Sequence, residues 1–159
     1  MGGFRRLSNL YDLVNREFWT LLRSMGFPRE IDDAAIQREA LRIEEKAENK
    51  RLMLRSWSMV EGGRHSEDVA LVKLLADSLG LVQGRDWDWE LEEDRYHFSI
   101  AYSRDPRVER LIRLADLFNR AQLVRIDFFG RVSPSEAEKL SQEEIQRMLH
   151  ESWKRWGLI

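Results

Sequence analysis

Apolar positions recur along the chain in two rhythms. Up to about residue 80 the spacing is three and four, the step of an amphipathic helix. From residue 87 to 102 it switches to two, the step of a half-buried strand. The first helix is expected from about Ser8 to Ser24. Leu10, Leu13, Val14, Phe18, Leu21, Leu22 and Met25 form its stripe, and Gly26 with Pro28 ends it. Trp19 falls off this stripe, which implies cover on two sides.

The second helix begins near Asp32 or Asp33, whose carboxylates suit a positive helix N-terminus. It is expected to run as far as Gly62-Gly63. Its seam reads Ile36, Ala40, Ile43, Ala47, Lys50, Leu54 and Trp57, in alternating steps of four and three. A heptad seam of this kind packs against a neighbouring helix of the same chain, or pairs with another protein or a second copy. A third helix is expected over Glu67–Leu79, capped by Ser66 and closed by Gly80.

Trp87 to Glu92 and Arg95 to Tyr102 both alternate strictly. With Glu93-Asp94 as the turn, Leu91 faces Tyr96, Trp89 faces Phe98 and Trp87 faces Ile100, so the apolar faces coincide and a β-hairpin follows. Asp105-Pro106 is a helix start, an N-cap acid followed by proline at the first helical position. The alternation of Val124, Ile126 and Phe128 predicts a third strand from Leu123 to about Phe129. Ser133-Pro134-Ser135-Glu136 and Ser141-Gln142-Glu143-Glu144 are two capping boxes, so a short helix and a longer one close the chain. The expected class is α+β. Three helices occupy residues 1–83, and a hairpin, helix, strand and C-terminal helices occupy residues 84–159, in one compact domain.

Composition narrows the chemistry. The chain of 159 residues contains no cysteine, which excludes disulfides, thiolate nucleophiles and cysteine-ligated metals. No apolar run reaches the length that spans a bilayer, and no apolar stretch follows the first residues, so a cytoplasmic protein without a membrane partner is expected. The formal net charge is −2, which excludes a wholly basic nucleic-acid coat.

That balance conceals a polarity. From Gly84 to Tyr102 acids dominate; from Ser103 to Ser133 arginines do. Arg107, Arg110, Arg113, Arg120 and Arg125 form the basic group, and guanidinium forks on one ridge suit phosphates of RNA or single-stranded DNA. On the acidic side, alternation places Asp86, Asp88, Glu90 and Glu92 on one strand face, with His97 opposite Glu90. If the third strand lies beside the hairpin, Asp88, Glu90, His97 and Asp127 could gather around Mg or Mn, since hard oxygen ligands suit those ions. This defines an alternative reading, a metal-dependent nuclease or phosphohydrolase.

Glu44-Glu45-Lys46-Ala47-Glu48 resembles the first metal motif of the all-α nucleotide pyrophosphohydrolases. Their second motif, an acid followed three residues later by aspartate, is missing: Glu67 is followed at that distance by Ala70. The family is therefore not carried over. No nucleophile elbow, phosphate loop, dinucleotide fingerprint or zinc-protease motif occurs. The third helix carries Lys73 against Glu67, Asp68 and Asp77, which is unsuited to reading a major groove. The leading expectation is a non-enzymatic binding or assembly protein without a cofactor. It would join a partner through the Ile36–Trp57 seam and touch RNA or single-stranded DNA through the arginine face.

Overall fold

The computed structural model describes residues 2–50, 59–60, 66–93, 95–101 and 104–159. Its elements are α1 (Gly2–Ser24), α2 (Asp33–Lys50), β1 (Met59–Val60), α3 (Ser66–Ser78), β2 (Trp87–Glu92), β3 (Arg95–Ile100), α4 (Pro106–Arg131), α5 (Pro134–Lys139) and α6 (Gln142–Arg155). Helix and sheet are both present, in α+β style. The chain divides into two compact units, residues 28–115 and residues 1–27 with 116–159, so the division does not follow a break between 83 and 84.

In the unit of residues 28–115, α2 packs along α3. Asp32 caps α2, its carboxylate accepting from the Ala35 N–H at 2.7 Å. Ile36, Ala40, Ile43 and Ala47 are buried, so the described part of the heptad seam is already covered within the chain. Leu54 and Trp57 lie outside the described residues. Because Met59 and Val60 pair as a strand with β3, the second helix does not continue to Gly62. Polar groups also tie α2 to α3. The buried Glu39 carboxylate stands 3.3 Å from the Lys73 ammonium, which also meets Asp77 at 3.1 Å. Burial draws the Lys73 pKa down, but Asp77 and Glu39 outweigh it and the net shift is upward. Ser66 Oγ donates to Glu44 Oε1 at 2.7 Å.

The hairpin forms with the register that the alternation predicts: Trp87↔Ile100, Trp89↔Phe98, Glu90↔His97 and Leu91↔Tyr96. Trp87, Trp89 and Tyr96 are buried, as coincident apolar faces require. The turn has no glycine, and Glu93 takes the left-handed conformation itself, with φ 50°. β1 lies on the other side of β3, giving the strand order β1-β3-β2, antiparallel throughout.

The expected third strand is not a strand. Residues 123–129 continue α4, which runs unbroken from Pro106 to Arg131. Asp105 starts it as expected, accepting from the Arg107 N–H at 2.9 Å. Period two misread this segment because the helix is apolar on two sides. Val124 and Phe128, four apart, are buried, whereas Ile126 between them is 59% exposed. Alternation within a strand would have put all three on one face.

In the unit of residues 1–27 and 116–159, α1 buries Leu10, Leu13, Val14, Phe18, Leu21 and Leu22. Met25, expected in the same stripe, is exposed. Trp19 is buried too, so α1 is covered on two sides. It joins an aromatic cluster in which Phe118 of α4 meets Phe18, Trp19 and Phe27 at 5.6, 6.0 and 5.8 Å between ring centres. Each such pair adds roughly 0.5–1.5 kcal/mol beyond its buried area. Both serines cap their helices: Ser133 Oγ accepts from the Glu136 N–H, and Ser141 Oγ from the Glu144 N–H. α6 contributes Ile145, Leu149 and Trp153 to the core. Its Gln146 donates to Glu17 of α1 at 2.8 Å.

Candidate interaction surface

The acidic strand face comes apart when its members are placed. Asp88 is 5% exposed and works as a structural acceptor. Its Oδ1 takes the Trp89 N–H at 2.9 Å and the Gln83 side-chain amide at 3.1 Å. Glu90 and His97 are half-buried and paired across the hairpin, as the register required. Asp127 lies on α4, in the unit of residues 1–27 and 116–159, where it pairs with Arg131 at 3.2 Å. The inference that joined it to Asp88 depended on a strand that does not exist. Among the described residues no three His, Cys, Asp or Glu side chains stand close enough to share an ion. An open cavity of about 590 Å³ beside Glu92, Glu93, Arg95 and His97 marks the hairpin tip.

The arginine row is also divided. Arg107 is spent on its own neighbourhood. It grips the Asp105 carboxylate through Nε and Nη2, the shortest contact being 2.7 Å, and donates from Nη1 to the Gly80 carbonyl at 3.2 Å. Gly80 (φ +75°) is the left-handed residue that ends α3, so this arginine satisfies a carbonyl that the helix cannot. The Arg107 hydrogen bond holds the Asp105 carboxyl below its ordinary range, and Asp105 in turn raises the Arg107 pKa.

Arg120 pairs with Asp116 one turn back, at 3.1 Å. Arg125 lays its guanidinium 3.9 Å over the Phe18 ring, donates to Asn15 Oδ1 at 3.1 Å and also donates to Gln122. It is a bridge between α1 and α4, and only part of it reaches solvent. Arg110 and Arg113 are exposed, and among the described residues no ion pair engages them. Of the five arginines proposed from sequence, these two keep a phosphate-binding geometry open.

A different surface was hidden by the strand reading. On the C-terminal half of α4, Leu123 is 49% and Ile126 59% exposed. Three residues further, the half-buried Phe129 carries the exposed Tyr11 ring of α1 at 4.5 Å. Asn119 and Gly130 extend the same side of the helix, and both are exposed. The signal in sequence was the spacing 119, 123, 126, 130, visible once the segment is taken as helical. A groove of about 610 Å³ elsewhere in this unit is lined by Leu10, Leu13, Arg16, Ala137, Leu140 and Ile145, with polar groups among the apolar ones.

Among the described residues, no helix is long and apolar enough to cross a membrane. Comparison of the chain with protein-family models, with curated proteins and with solved structures yields no match.

Proposed function

We propose that this chain is a non-enzymatic assembly protein whose working surface is the outward side of the C-terminal half of α4. One observation carries the reading: Leu123 and Ile126 stand side by side, 49% and 59% exposed, on a helix whose opposite side is already buried. A single exposed leucine is ordinary, whereas a contiguous apolar ridge points to a partner. Full burial of each side chain is worth about 1.5–3 kcal/mol, and folding of the chain alone collects little of it. Leucine and isoleucine at these positions therefore support association better than they support the fold.

The nucleic-acid element of the reading narrows to Arg110 and Arg113, two exposed guanidinium groups one turn apart on α4. They would supply phosphate contact without base recognition.

The assembly reading is tested in an extract of source cells expressing the full chain. The wild type is expected in a fraction larger than the free chain, as read by crosslinking and native size. The L123E+I126E variant, whose changes fall on exposed positions, is expected to keep its circular dichroism spectrum and run as the free chain. Equal native sizes for wild type and variant would refute the reading.

A further inference from the structure

We infer that the partner of this surface is a second copy of the chain, with the two α4 helices packed antiparallel. This rests on the assembly reading above and names its partner. Four observations on α4 converge.

The first is the seam. Asn119, Leu123, Ile126 and Gly130 follow one another in steps of four, three and four, and all are exposed. That is the a/d spacing with which helices interlock. At 3.6 residues per turn it lies opposite the buried stripe of Phe118, Ala121, Val124 and Phe128. One side of α4 serves the fold and the other is left over.

The second is complementarity along that seam. Turn a second α4 end for end about a two-fold axis between Leu123 and Ile126. Leu123 then meets the partner's Ile126, and Asn119 meets the partner's Gly130, each twice. A large residue faces a small one at the ends, and two branched aliphatics face each other in the middle. A polar residue in such a seam fixes its register.

The third is Gly130 itself. Glycine is a poor helix former, yet this one sits within α4 without a left-handed φ. A Cβ placed there would find no atom within 4 Å, so the chain's own packing does not require glycine. Room for the partner's Asn119 supplies a reason.

The fourth is charge. Beside the seam, one edge of α4 carries Asp116, Arg120, Asp127 and Arg131, paired within the helix at 3.1 and 3.2 Å. The order is minus, plus, minus, plus. Reversed, it reads plus, minus, plus, minus. An antiparallel copy therefore sets Asp116 against the partner's Arg131 and Arg120 against the partner's Asp127. In a parallel pair this edge would lie across the seam from the other edge of the partner, so only the antiparallel arrangement brings these four charges together. Rim charges of this kind select orientation more than they add affinity.

Two apolar residues per helix make a small interface, so the pair is expected to form and dissociate with concentration rather than to be permanent. Sedimentation velocity of the purified full chain tests this. The wild type is expected to shift from monomer to dimer as concentration rises, and L123E+I126E to stay monomeric throughout with an unchanged circular dichroism spectrum. R120E alone and D127R alone are each expected to weaken the dimer at least tenfold. Their equimolar mixture is expected to recover it, because opposite charges again face each other at positions 120 and 127. A wild type that stays monomeric at every concentration overturns the inference. If the extract experiment still shows a larger fraction lost in L123E+I126E, the assembly reading survives with a different partner. Failure of the mixture to recover the dimer overturns the antiparallel arrangement.

Discussion

Arg125 separates a structural role from a functional one. The sequence places it in a phosphate-binding row; the structure makes it a clasp. Truncating it to alanine removes a guanidinium seated 3.9 Å over Phe18 and a charged hydrogen bond to Asn15. A cation–π contact is worth about 0.5–1 kcal/mol at the surface and about 2 when desolvated, so this partly covered one merits about 1 kcal/mol. The hydrogen bond to Asn15, also partly covered, adds roughly 1 kcal/mol, at the low end for a charged donor. The Gln122 contact is local to the helix and adds at most about 0.5 kcal/mol. Arg125→Ala is therefore expected to cost roughly 2 kcal/mol. For a chain of this size that lowers Tm by roughly 4–8 °C.

Thermal unfolding followed by circular dichroism measures it, with Arg110→Ala as the control, expected within about 0.5 kcal/mol of wild type. Arg125→Lys keeps the charge but not the flat fork, and is expected to recover little of the loss. If Arg125→Ala melts with the wild type yet abolishes binding to single-stranded RNA, the clasp is not what the residue is for, and the reasoning fails.

Two further outcomes follow from the hairpin and from the start of α4. Asp88→Ala strips the acceptor from the buried Trp89 N–H and the Gln83 amide, and is expected to cost about 1–3 kcal/mol in chemical denaturation. A rise in wild-type Tm on adding Mn²⁺, lost in Asp88→Ala, would instead restore the acidic face as a metal site. At Asp105, the Arg107 hydrogen bond lowers the folded pKa below its unfolded value, so the stabilisation is full above the ordinary carboxylate range near 4 and fades as pH falls through the lowered value. Asp105→Asn keeps a capping side chain without the charge; its Tm deficit is expected at pH 7 and should shrink below about pH 4, and a deficit that is flat with pH would count against the ion pair.

The hairpin and the helix caps were legible because their signals are local and unambiguous. Coincident apolar faces around Glu93-Asp94 admit a single register, and a serine three residues before a glutamate has one common use. Residues 123–129 were not legible in the same way. Val124, Ile126 and Phe128 fit a period of two, and only the longer view, with Phe118 and Ala121 leading into Val124 and Phe128, restores a period of 3.6. No proline interrupts the chain between Pro106 and Pro134, as one long helix requires. Asp127 joined the expected metal site through a strand over residues 123–129 alone, and in α4 the reason for placing it there falls away. The arginine row failed for another reason. Residue type says that a guanidinium can bind phosphate, but only packing shows that Asp105, Asp116 and the Phe18 ring already occupy three of the five. The exposed ridge of Leu123 and Ile126 does not exist in a strand, where residues three apart point to opposite faces; only the helix sets them side by side.

One of the two units is assembled from both ends of the chain, residues 1–27 and 116–159, while residues 28–115 form the other without interruption. Synthesis runs from the N-terminus, so α1 leaves the ribosome with Phe18, Trp19 and Leu22 uncovered and their partners still unmade. The contiguous unit has all its contacts in hand first. At roughly 5–20 residues per second, α1 waits several seconds before Phe118 and α6 arrive to cover it. Closing that unit is a contact across most of the chain's length, the slow kind in folding. A chain cut short within α4 would present a greasy, orphaned first helix, which is the kind of surface that chaperones and proteases recognise.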